Sequence, residues 1–322
     1  MNILVIGSGV SGLSCSIRLL EAGHDVQIWA RDLPPNTTSN IAAAVWYPYK
    51  AYPEHLVLGW SALAYMDFVQ LAQVEGSGVW LQQGFEIFPE PADDPWWRKA
   101  VPSFRRAAPH ELPDGYRDGF VFEAPVIEMD VYLPFLQQRF AKLGGQCTVR
   151  AVHDLAEAFA EHDLVVNCTG LGARELVNDT SMFPIRGQVV RVAQPGIQEF
   201  TLDDYNPRGV TYIVPRSNDC ILGGTSEDGR EDRTVEPDTA AAILERCAAL
   251  EPRLRDATVL EHRVGLRPGR PTVRLEAEQW ASGKTLVHNY GHGGAGVTLS
   301  WGCAAEVARL VNEHATPGRT AL

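Results

Sequence analysis

The chain has 322 residues, of which 45% are hydrophobic and 21% charged, so it can hold two domains with sizeable cores and is not expected to be disordered. A net charge of -12 without any run of Lys or Arg argues against nucleic-acid binding, because such sites need a basic stripe. No apolar segment approaches the roughly 18 to 20 uncharged residues of a membrane span, and no basic leader precedes the first predicted strand. We therefore expect a soluble, unexported protein that binds neither nucleic acid nor membrane.

The cysteines and histidines do not form a recognisable chemical motif. The six cysteines are scattered without a C-x-x-C pair, and the nine histidines form no H-x-x-x-H motif. No G-x-S-x-G elbow supplies a nucleophilic serine. The cysteines are therefore predicted to be reduced structural residues, and neither a metal site nor hydrolase chemistry is expected.

The first 32 residues have the pattern of a complete nucleotide-binding βαβ unit. A β-rich apolar run at residues 2–6 leads into Gly7-Ser8-Gly9-Val10-Ser11-Gly12, a G-x-G-x-x-G motif. The pattern then predicts a helix over residues 11–22 and a second strand over residues 25–30. Asp32 follows roughly 20 residues beyond the glycines, where dinucleotide folds place an acid on the ribose hydroxyls. These features predict a bound dinucleotide, which could be FAD or NAD.

Each glycine of this motif has a physical role. Gly7 permits the sharp turn, Gly9 lets the backbone approach a pyrophosphate, and Gly12 lets the helix lie close to the strand. A second glycine-rich turn, residues 291–296, separates a predicted strand over residues 285–289 from a last helix over residues 299–313. That turn could be a plain lead-in to the helix, but two anion-cradling turns at opposite ends of the chain suit one long cofactor.

The segment after the βαβ unit allows two interpretations. Residues 34–40 are rich in turn formers, hydroxyls and amides, and residues 41–48 carry almost no bulk before Trp46. The hydroxyls of Thr37, Thr38 and Ser39, with backbone N–H groups near Ala43, could face cofactor phosphates. From the loop alone, an ordinary surface loop is the favoured interpretation.

The rest of the chain alternates between two kinds of pattern. Helices are predicted over residues 56–74, 126–143 and 238–250, and strands over residues 84–89, 163–170 and 186–192. A polar turn joins residues 211–215 and 220–224 into a predicted hairpin, which indicates an antiparallel second domain. The buried run at 163–170 is typical of a parallel sheet. The chain therefore passes twice between domains.

At these residues the sequence resembles the D-amino-acid oxidase family, which includes D-aspartate oxidases, over nearly the whole chain. Besides the first glycine turn, the motifs that carry the resemblance are residues 36–44, 166–170, 186–188, 212–215, 222–224, 265–268, 288–294 and 301–303. The resemblance implies an α/β fold in which a parallel-sheet FAD domain is interleaved with an α+β antiparallel-sheet substrate domain. The implied boundaries are 1–50, 140–185 and 262–322 for the FAD-binding domain and 51–139 and 186–261 for the substrate-binding domain.

The resemblance also implies the cofactor, the reaction and the assembly. FAD rather than NAD is implied, together with oxidation of a D-amino acid by O2 to a 2-oxo acid, ammonia and hydrogen peroxide, in a homodimer. The implied cofactor-binding residues are Gly7, Ser8, Gly9, Val10, Ser11, Gly12, Arg31, Asp32, Thr37, Thr38, Ser39, Ala43, Ala44, Val152, Thr169, Gly293, Gly294, Ala295, Gly296, Val297 and Thr298.

Four residues are expected to carry the chemistry. The guanidinium of Arg267 offers a planar fork for the substrate carboxylate, and Tyr212 can add a hydrogen bond. By resemblance, Gly293 and Gly294 supply a backbone carbonyl for the amino group, so no side-chain base is needed. Without the resemblance, Arg267 would be read as a solvated charge and Tyr212 as strand packing.

Two departures from the family pattern affect the site. Arg31 stands where mammalian members carry an acid, so either Arg31 or Asp32 could meet the ribose. Arg208 stands where they carry a second active-site tyrosine, which Tyr205 could replace.

Ser226 and Tyr205 occupy positions where D-aspartate oxidases resemble one another in an arginine. A pocket without a cation should reject a second carboxylate, so neutral D-amino acids are the expected substrates. Arg208 could supply that cation, but an exposed pair with Asp203 or Asp204 is favoured. The alternatives are a D-aspartate oxidase and a non-catalytic dinucleotide sensor.

Peroxisomal relatives end in a Ser-Lys-Leu-like tripeptide, whereas this chain ends Thr320-Ala321-Leu322, so a cytoplasmic enzyme is expected.

Overall fold

The computed structural model describes residues 1–280 and 283–315; the C-terminal tripeptide of the localisation prediction lies outside them. The strands are β1 (Asn2–Ile6), β2 (Asp25–Ala30), β3 (Val79–Phe88), β4 (Phe104–Arg106), β5 (Asp118–Ile127), β6 (Gln146–Val149), β7 (Leu164–Asn167), β8 (Phe183–Ala193), β9 (Phe200–Asp203), β10 (Thr211–Pro215), β11 (Asp219–Gly223), β12 (Glu227–Asp228), β13 (Val259–Gly269), β14 (Arg274–Gln279) and β15 (Thr285–Tyr290). The helices are α1 (Val10–Glu21), α2 (Glu54–Leu71), α3 (Met129–Lys142), α4 (Leu155–Glu161), α5 (Ala173–Leu176), α6 (Pro237–Leu250) and α7 (Gly296–Ala315).

The first sheet has six strands in the order β14-β15-β7-β1-β2-β6. All neighbours are parallel except β14 and β15. β7 and β15 are buried along their whole length, as expected for central strands covered on both faces. The predicted βαβ unit is confirmed. Its strands, with β7 and β15, end at one edge of the sheet, which is where open α/β sheets bind their ligands.

The second sheet has nine strands, in the order β12-β8-β11-β10-β9-β3-β5-β4, with β13 paired to β8. The predicted hairpin is present, and it pairs Tyr212 of β10 with Gly223 of β11. β13 runs antiparallel to β8 and sets Arg267 opposite Ile185. The pairs are antiparallel except β3 with β9, so the mixed parallel and antiparallel fold class is confirmed.

Helices α1 and α7 pack against each other, α2 packs on α7, and α3 packs on α1. The close approach of α7 to α2 requires a glycine, because a Cβ at Gly302 would overlap with the backbone of Trp60. The implied boundaries place most of α2 and α3 in the substrate-binding domain, although both helices pack on helices that flank the first sheet; the boundaries themselves stay a prediction. No helix of the described residues is both long and apolar enough to cross a membrane.

The predicted helix over residues 126–143 begins later in the structure, at Met129. Val126 and Ile127 instead end β5, a strand that the sequence analysis did not predict, where they pair with Trp80 and Val79 of β3. Both are β-branched and apolar, so local pattern alone does not separate the end of a strand from the start of a buried helix. β14 was also missed, because its alternation of charged and small residues is typical of an exposed edge strand and gives a weak signal.

Candidate active site

A cavity of about 810 Å³ lies between the two sheets. It begins at the carboxyl end of β1 and extends to the face of the second sheet that carries Tyr212 and Arg267. The predicted cofactor residues that line it are Gly7, Ser8, Gly9, Val10, Ser11, Arg31, Asp32, Thr37, Thr38, Ser39, Ala43, Ala44, Val152, Thr169, Gly293, Gly294, Gly296, Val297 and Thr298. Gly12 and Ala295 do not line the wall; both are buried behind it.

The first glycine turn is held in place by backbone contacts. Gly7 has a φ of +114°, and a Cβ there would lie 2.5 Å from the carbonyl oxygen of Cys168. A Cβ at Gly12 would overlap with the carbonyl oxygen of Gly7. Gly9 precedes α1 without a side-chain cap, and the first turn of α1 contains no acid. The positive end of α1 is therefore open to an anion at the cavity wall.

The hydroxyl-rich loop at residues 34–40 lies against this turn. The Oγ of Ser39 accepts a hydrogen bond from the N–H of Val10 at 3.0 Å. A Cβ at Gly9 would meet the same oxygen at 3.1 Å. Thr37 and Thr38 line the cavity beside Ser39. The loop therefore forms part of the cavity wall beside the first glycine turn, and its contact with cofactor phosphates stays a prediction.

The second glycine turn closes the other side of the cradle. Gly293 has a φ of +55°, and a Cβ there would overlap with the carbonyl oxygen of Lys50. His292 is buried, its Nε2 lies 2.9 Å from Oδ1 of Asn289, and burial lowers its pKa to about 4. It is therefore neutral near pH 7. The first turn of α7, like that of α1, has no acid, so a second helix N-terminus can face an anion.

At the predicted ribose end, Arg31 and Asp32 both line the cavity and contact each other. Nε of Arg31 donates to Oδ2 of Asp32 at 2.8 Å, and both side chains are exposed. The backbone carbonyl of Asp32 accepts a hydrogen bond from Oγ of Ser8 at 2.7 Å. The ribose hydroxyls therefore have two candidate partners in this structure, as the sequence predicts.

At the opposite end, Arg267 projects from β13 across β8. The guanidinium occupies the space above Gly187, where a Cβ would overlap with Nη1 of Arg267. Nη1 donates to the carbonyl oxygen of Thr225 at 3.1 Å. Within residues 1–280 and 283–315, no carboxylate forms an ion pair with Arg267. Its charge is therefore available to an anion in the cavity.

Tyr212 lies beside Arg267, and its ring, like the guanidinium, occupies space that a glycine leaves open. A Cβ at Gly223, its partner on β11, would overlap with the phenol ring. The guanidinium lies close enough to the phenol to influence its ionisation. Burial raises the pKa of Tyr212 and nearby Arg267 opposes the rise, so the phenol keeps its proton at neutral pH. The two predicted substrate residues are thus brought together on one wall.

The other candidates of the sequence analysis lie elsewhere. Tyr205 is 61% exposed, packs on Phe88 and does not line the cavity. Arg208 forms an exposed ion pair at 2.9 Å with Glu245 rather than with Asp203 or Asp204. Oγ of Ser226 accepts a hydrogen bond at 2.9 Å from Nζ of Lys50, an exposed side chain outside the cavity lining.

Several residues of the cavity were not found from the sequence. Tyr47 and Tyr49 line it and stack with ring centroids 6.4 Å apart. The hydroxyl of Tyr47 donates to Oε1 of buried Glu86 at 2.6 Å, and burial raises the pKa of Glu86 to about 8. Asp204 also lines the cavity. No local motif marks these positions, because the contact with Glu86 crosses from one segment to a distant strand.

The comparisons with known proteins match this architecture. The family model described as DAO, FAD dependent oxidoreductase, matches residues 2–310. The chain belongs to this family. A D-amino-acid oxidase of Rubrobacter xylanophilus is 56% identical over 95% of this chain and 94% of its own length. A D-aspartate oxidase of Homo sapiens is 38% identical over 97% of this chain and 95% of its own length. Glycine oxidase from Geobacillus kaustophilus has the same fold, with a TM-score of 0.81 at 20% identity, covering 99% of this chain and 96% of its own.

FAD is accordingly the cofactor of this FAD-dependent oxidoreductase, and the cavity suits its shape and charge. Two helix N-termini without acids meet the cavity, as a pyrophosphate requires. The small residues Ala43 and Ala44 line the same cavity and leave room for a flat ring system. No group of three or more His, Cys, Asp or Glu that could hold a metal occurs in the part of the chain that the structure describes.

Proposed function

We propose that this FAD-dependent oxidoreductase oxidises neutral D-amino acids to 2-oxo acids, with release of ammonia and hydrogen peroxide. The observation that carries the proposal is the Arg267 guanidinium, which lies on the cavity wall beside Tyr212 and forms no ion pair with a carboxylate of the described residues. The names of similar proteins support it, since D-amino-acid oxidases of Rubrobacter xylanophilus and Dictyostelium discoideum are 56% and 42% identical to this chain.

The side chains of the second sheet would position the substrate. Arg267 binds the α-carboxylate through two N–H groups, and Tyr212 donates a hydrogen bond to the same group. A backbone carbonyl at Gly293 or Gly294 accepts a hydrogen bond from the amino group and thereby fixes the direction of the Cα–H bond. FAD, when bound, supplies a hydride acceptor that O2 can reoxidise. The substrate reacts as its free amine and the Cα hydrogen leaves as a hydride, so no side-chain base is required to remove a proton from Cα.

The preference for neutral side chains follows from the positions of the nearby cations. Arg208 is paired with Glu245 on the surface, and Tyr205 lies outside the cavity. Arg233 lines the cavity, but its side chain is exposed to solvent. Burying a second carboxylate without a cation costs several kcal/mol. Lys50 beside Ser226 is the observation that favours a D-aspartate oxidase, but its exposed ammonium is screened by solvent.

Absorption spectroscopy of the purified protein tests the proposal. The protein should be yellow, its flavin bands should bleach with D-valine but not L-valine under anaerobic conditions, and they should return on admission of air. Catalase-sensitive peroxide should accumulate with turnover. A protein that FAD does not turn yellow, or a flavin that no D-amino acid bleaches, would contradict the proposal. Faster bleaching by D-aspartate than by D-valine would replace it with a D-aspartate oxidase.

We further propose a homodimer in the cytoplasm. Apolar Leu56, Leu63 and Met66 are 44%, 49% and 67% exposed and follow one side of α2, which supports an interface between copies. All six cysteines are free, including exposed Cys147, which supports a reducing compartment. Light scattering on a sizing column should give twice the chain mass. A monomeric mass, or retention of a tagged chain in another compartment, would contradict these two proposals.

A further inference from the structure

Asp204 is an acid on the substrate wall for which the proposed reaction has no role. Along residues 186–269 it is the acidic residue that lines the cavity, together with Leu202, Val210, Tyr212 and Arg267. No hydrogen bond or ion pair reaches its carboxylate within the described residues. Its neighbour Asp203 differs, because Oδ2 of Asp203 accepts hydrogen bonds from Tyr116 and Asn206. Asp203 thus contributes to the fold, whereas Asp204 faces the cavity without a partner.

The strand register gives the position of Asp204 relative to the carboxylate site. Leu202 of β9 lies opposite Tyr212 of β10, and Asp204 follows two residues beyond Leu202. Asp204 itself stands in the turn that follows β9, and it lines the cavity together with Leu202. A substrate whose carboxylate lies at Arg267 and Tyr212 therefore has apolar Leu202 beside its side chain and the Asp204 carboxylate farther along the same wall. This order of groups suits a flexible aliphatic stem that ends in a cation.

The charges around Asp204 leave it anionic at neutral pH. Burial and then Asp203 raise its pKa to about 6, while Lys50 and Arg267 oppose the rise. Glu86, the other acid nearby, is mainly protonated below about pH 8 because it is buried. A bound substrate carboxylate neutralises Arg267, and the side chains of Lys50 and of Arg233, which also lines the cavity, are exposed to solvent. An uncompensated anion then remains beside the substrate side chain.

We infer that Asp204 determines side-chain specificity: it favours D-amino acids whose side chain ends in a cation, such as D-lysine, over uncharged ones of the same length, and it disfavours a second carboxylate. This inference rests on the proposed oxidase activity. It extends the substrate class from neutral to basic D-amino acids.

Steady-state kcat/KM at pH 7, where Asp204 is mainly ionised and Glu86 mainly protonated, for D-lysine and for D-norleucine, which has the same chain without the charge, tests the inference. Asp204→Asn should lower the ratio of D-lysine to D-norleucine by about tenfold or more, mainly through KM, because a buried charge pair is lost. D-norleucine itself should change by less than about threefold. Asp204→Glu should keep most of the ratio. Asp228→Asn removes the same charge from an exposed position outside the cavity lining and should leave the ratio unchanged.

An unchanged ratio in Asp204→Asn, or an equal fall in Asp228→Asn, would overturn the inference. The kcat/KM values of the wild-type enzyme test the inference without any variant. D-lysine should match or exceed D-norleucine, and D-glutamate should fall at least about tenfold below D-glutamine. D-norleucine exceeding D-lysine by more than about tenfold would also overturn it. If neither D-norleucine nor D-valine reduces the flavin, the proposed oxidase activity itself is wrong. That result differs from an active oxidase whose preference does not depend on Asp204.

Discussion

The two ends of the cavity are built from different parts of the chain and by different means. At the cofactor end, backbone turns at residues 7–12 and 291–296 form the wall, and Gly7, Gly12 and Gly293 in them are required by contacts with backbone atoms. At the substrate end, side chains form the wall, and glycines opposite them make room for a guanidinium and a phenol ring. The cofactor cradle therefore depends on local chain geometry, whereas the substrate wall depends on the register of distant strands.

Because the two ends are built differently, substitutions can change cofactor binding and substrate specificity separately. A change at the first glycine turn alters the path of the backbone and with it the whole parallel sheet. A change at Arg267 or Tyr212 alters one hydrogen-bonding group on a sheet that remains paired. Substitutions at the cofactor end should therefore prevent formation of the flavin-loaded protein. Substitutions at the substrate end should leave a flavin-loaded enzyme with a low kcat/KM.

Gly12→Val should have the largest effect, because its Cβ would overlap with the carbonyl of Gly7 and force α1 away from β1. We expect no yellow, folded protein, as measured by flavin content and by circular dichroism. Gly59→Val is the matched control, since a Cβ at Gly59 would meet no atom within 4 Å apart from the backbone of its own helix and its chain neighbours. A flavin-loaded Gly12→Val protein would show that this turn does not need a glycine.

Gly223→Ala should be the next most harmful change. The added methyl group overlaps with the ring of Tyr212 and displaces it from the carboxylate site. Displacements of this size cost about a hundredfold in kcat/KM, whereas flavin content should be unchanged. In a Tyr212→Ala background the same substitution should cost little more. Equal losses in both backgrounds would mean that the glycine serves the backbone rather than the ring.

Tyr212→Phe removes one hydrogen bond to the substrate and keeps the ring. We expect kcat/KM to fall by about tenfold, which corresponds to a single neutral hydrogen bond. Tyr205→Phe, on the exposed surface, is the control and should match the wild type. A loss of more than about a thousandfold in Tyr212→Phe would assign the phenol a role in proton transfer instead.

Glu86→Gln should have the smallest effect, and its effect should depend on pH. The pKa of Glu86 is raised from 4.5 to about 8 by burial, so between these values the folded state holds a proton that the unfolded state has lost. The stability that Glu86 contributes therefore falls as the pH rises through this window.

The variant should gain about 2 kcal/mol in free energy of unfolding at pH 8 and almost none near pH 4.5, as measured by urea unfolding of the holoprotein. Glu90→Gln, at an exposed ion pair, is the control. A gain of the same size at both pH values would mean that ionisation of Glu86 is not its cause.

The sequence predicts the cofactor end better than the substrate end, because the first depends on local chain geometry and the second on the register of distant strands. The turn at residues 7–12 lies between a strand and a helix that can both be recognised locally, and β1, α1 and β2 are found where they are predicted. The contact of Ser39 with Val10 joins segments 29 residues apart, so the loop alone leaves its role open.

The substrate end depends on pairings that no local window contains. Arg267 lies above Gly187, which is 80 residues earlier in the chain, and only the pairing of β13 with β8 brings them together. No local sequence motif marks Asp204. Its place near the substrate site is recognised only from the strand pairing that sets Leu202 opposite Tyr212. Resemblance to a known family supplied Arg267 and Tyr212, and the structure was needed to find the acid beside them.

We propose that the fork of Arg267 holds the substrate carboxylate, at an end of the cavity that cofactor binding does not require. Arg267→Lys tests it most directly, because the charge stays and only the planar pair of N–H groups is lost. We predict that flavin content equals that of wild type and of the surface control Arg208→Lys, while kcat/KM for D-valine falls by about a hundredfold or more. Near-normal kcat/KM, or loss of the flavin together with activity, would contradict the account.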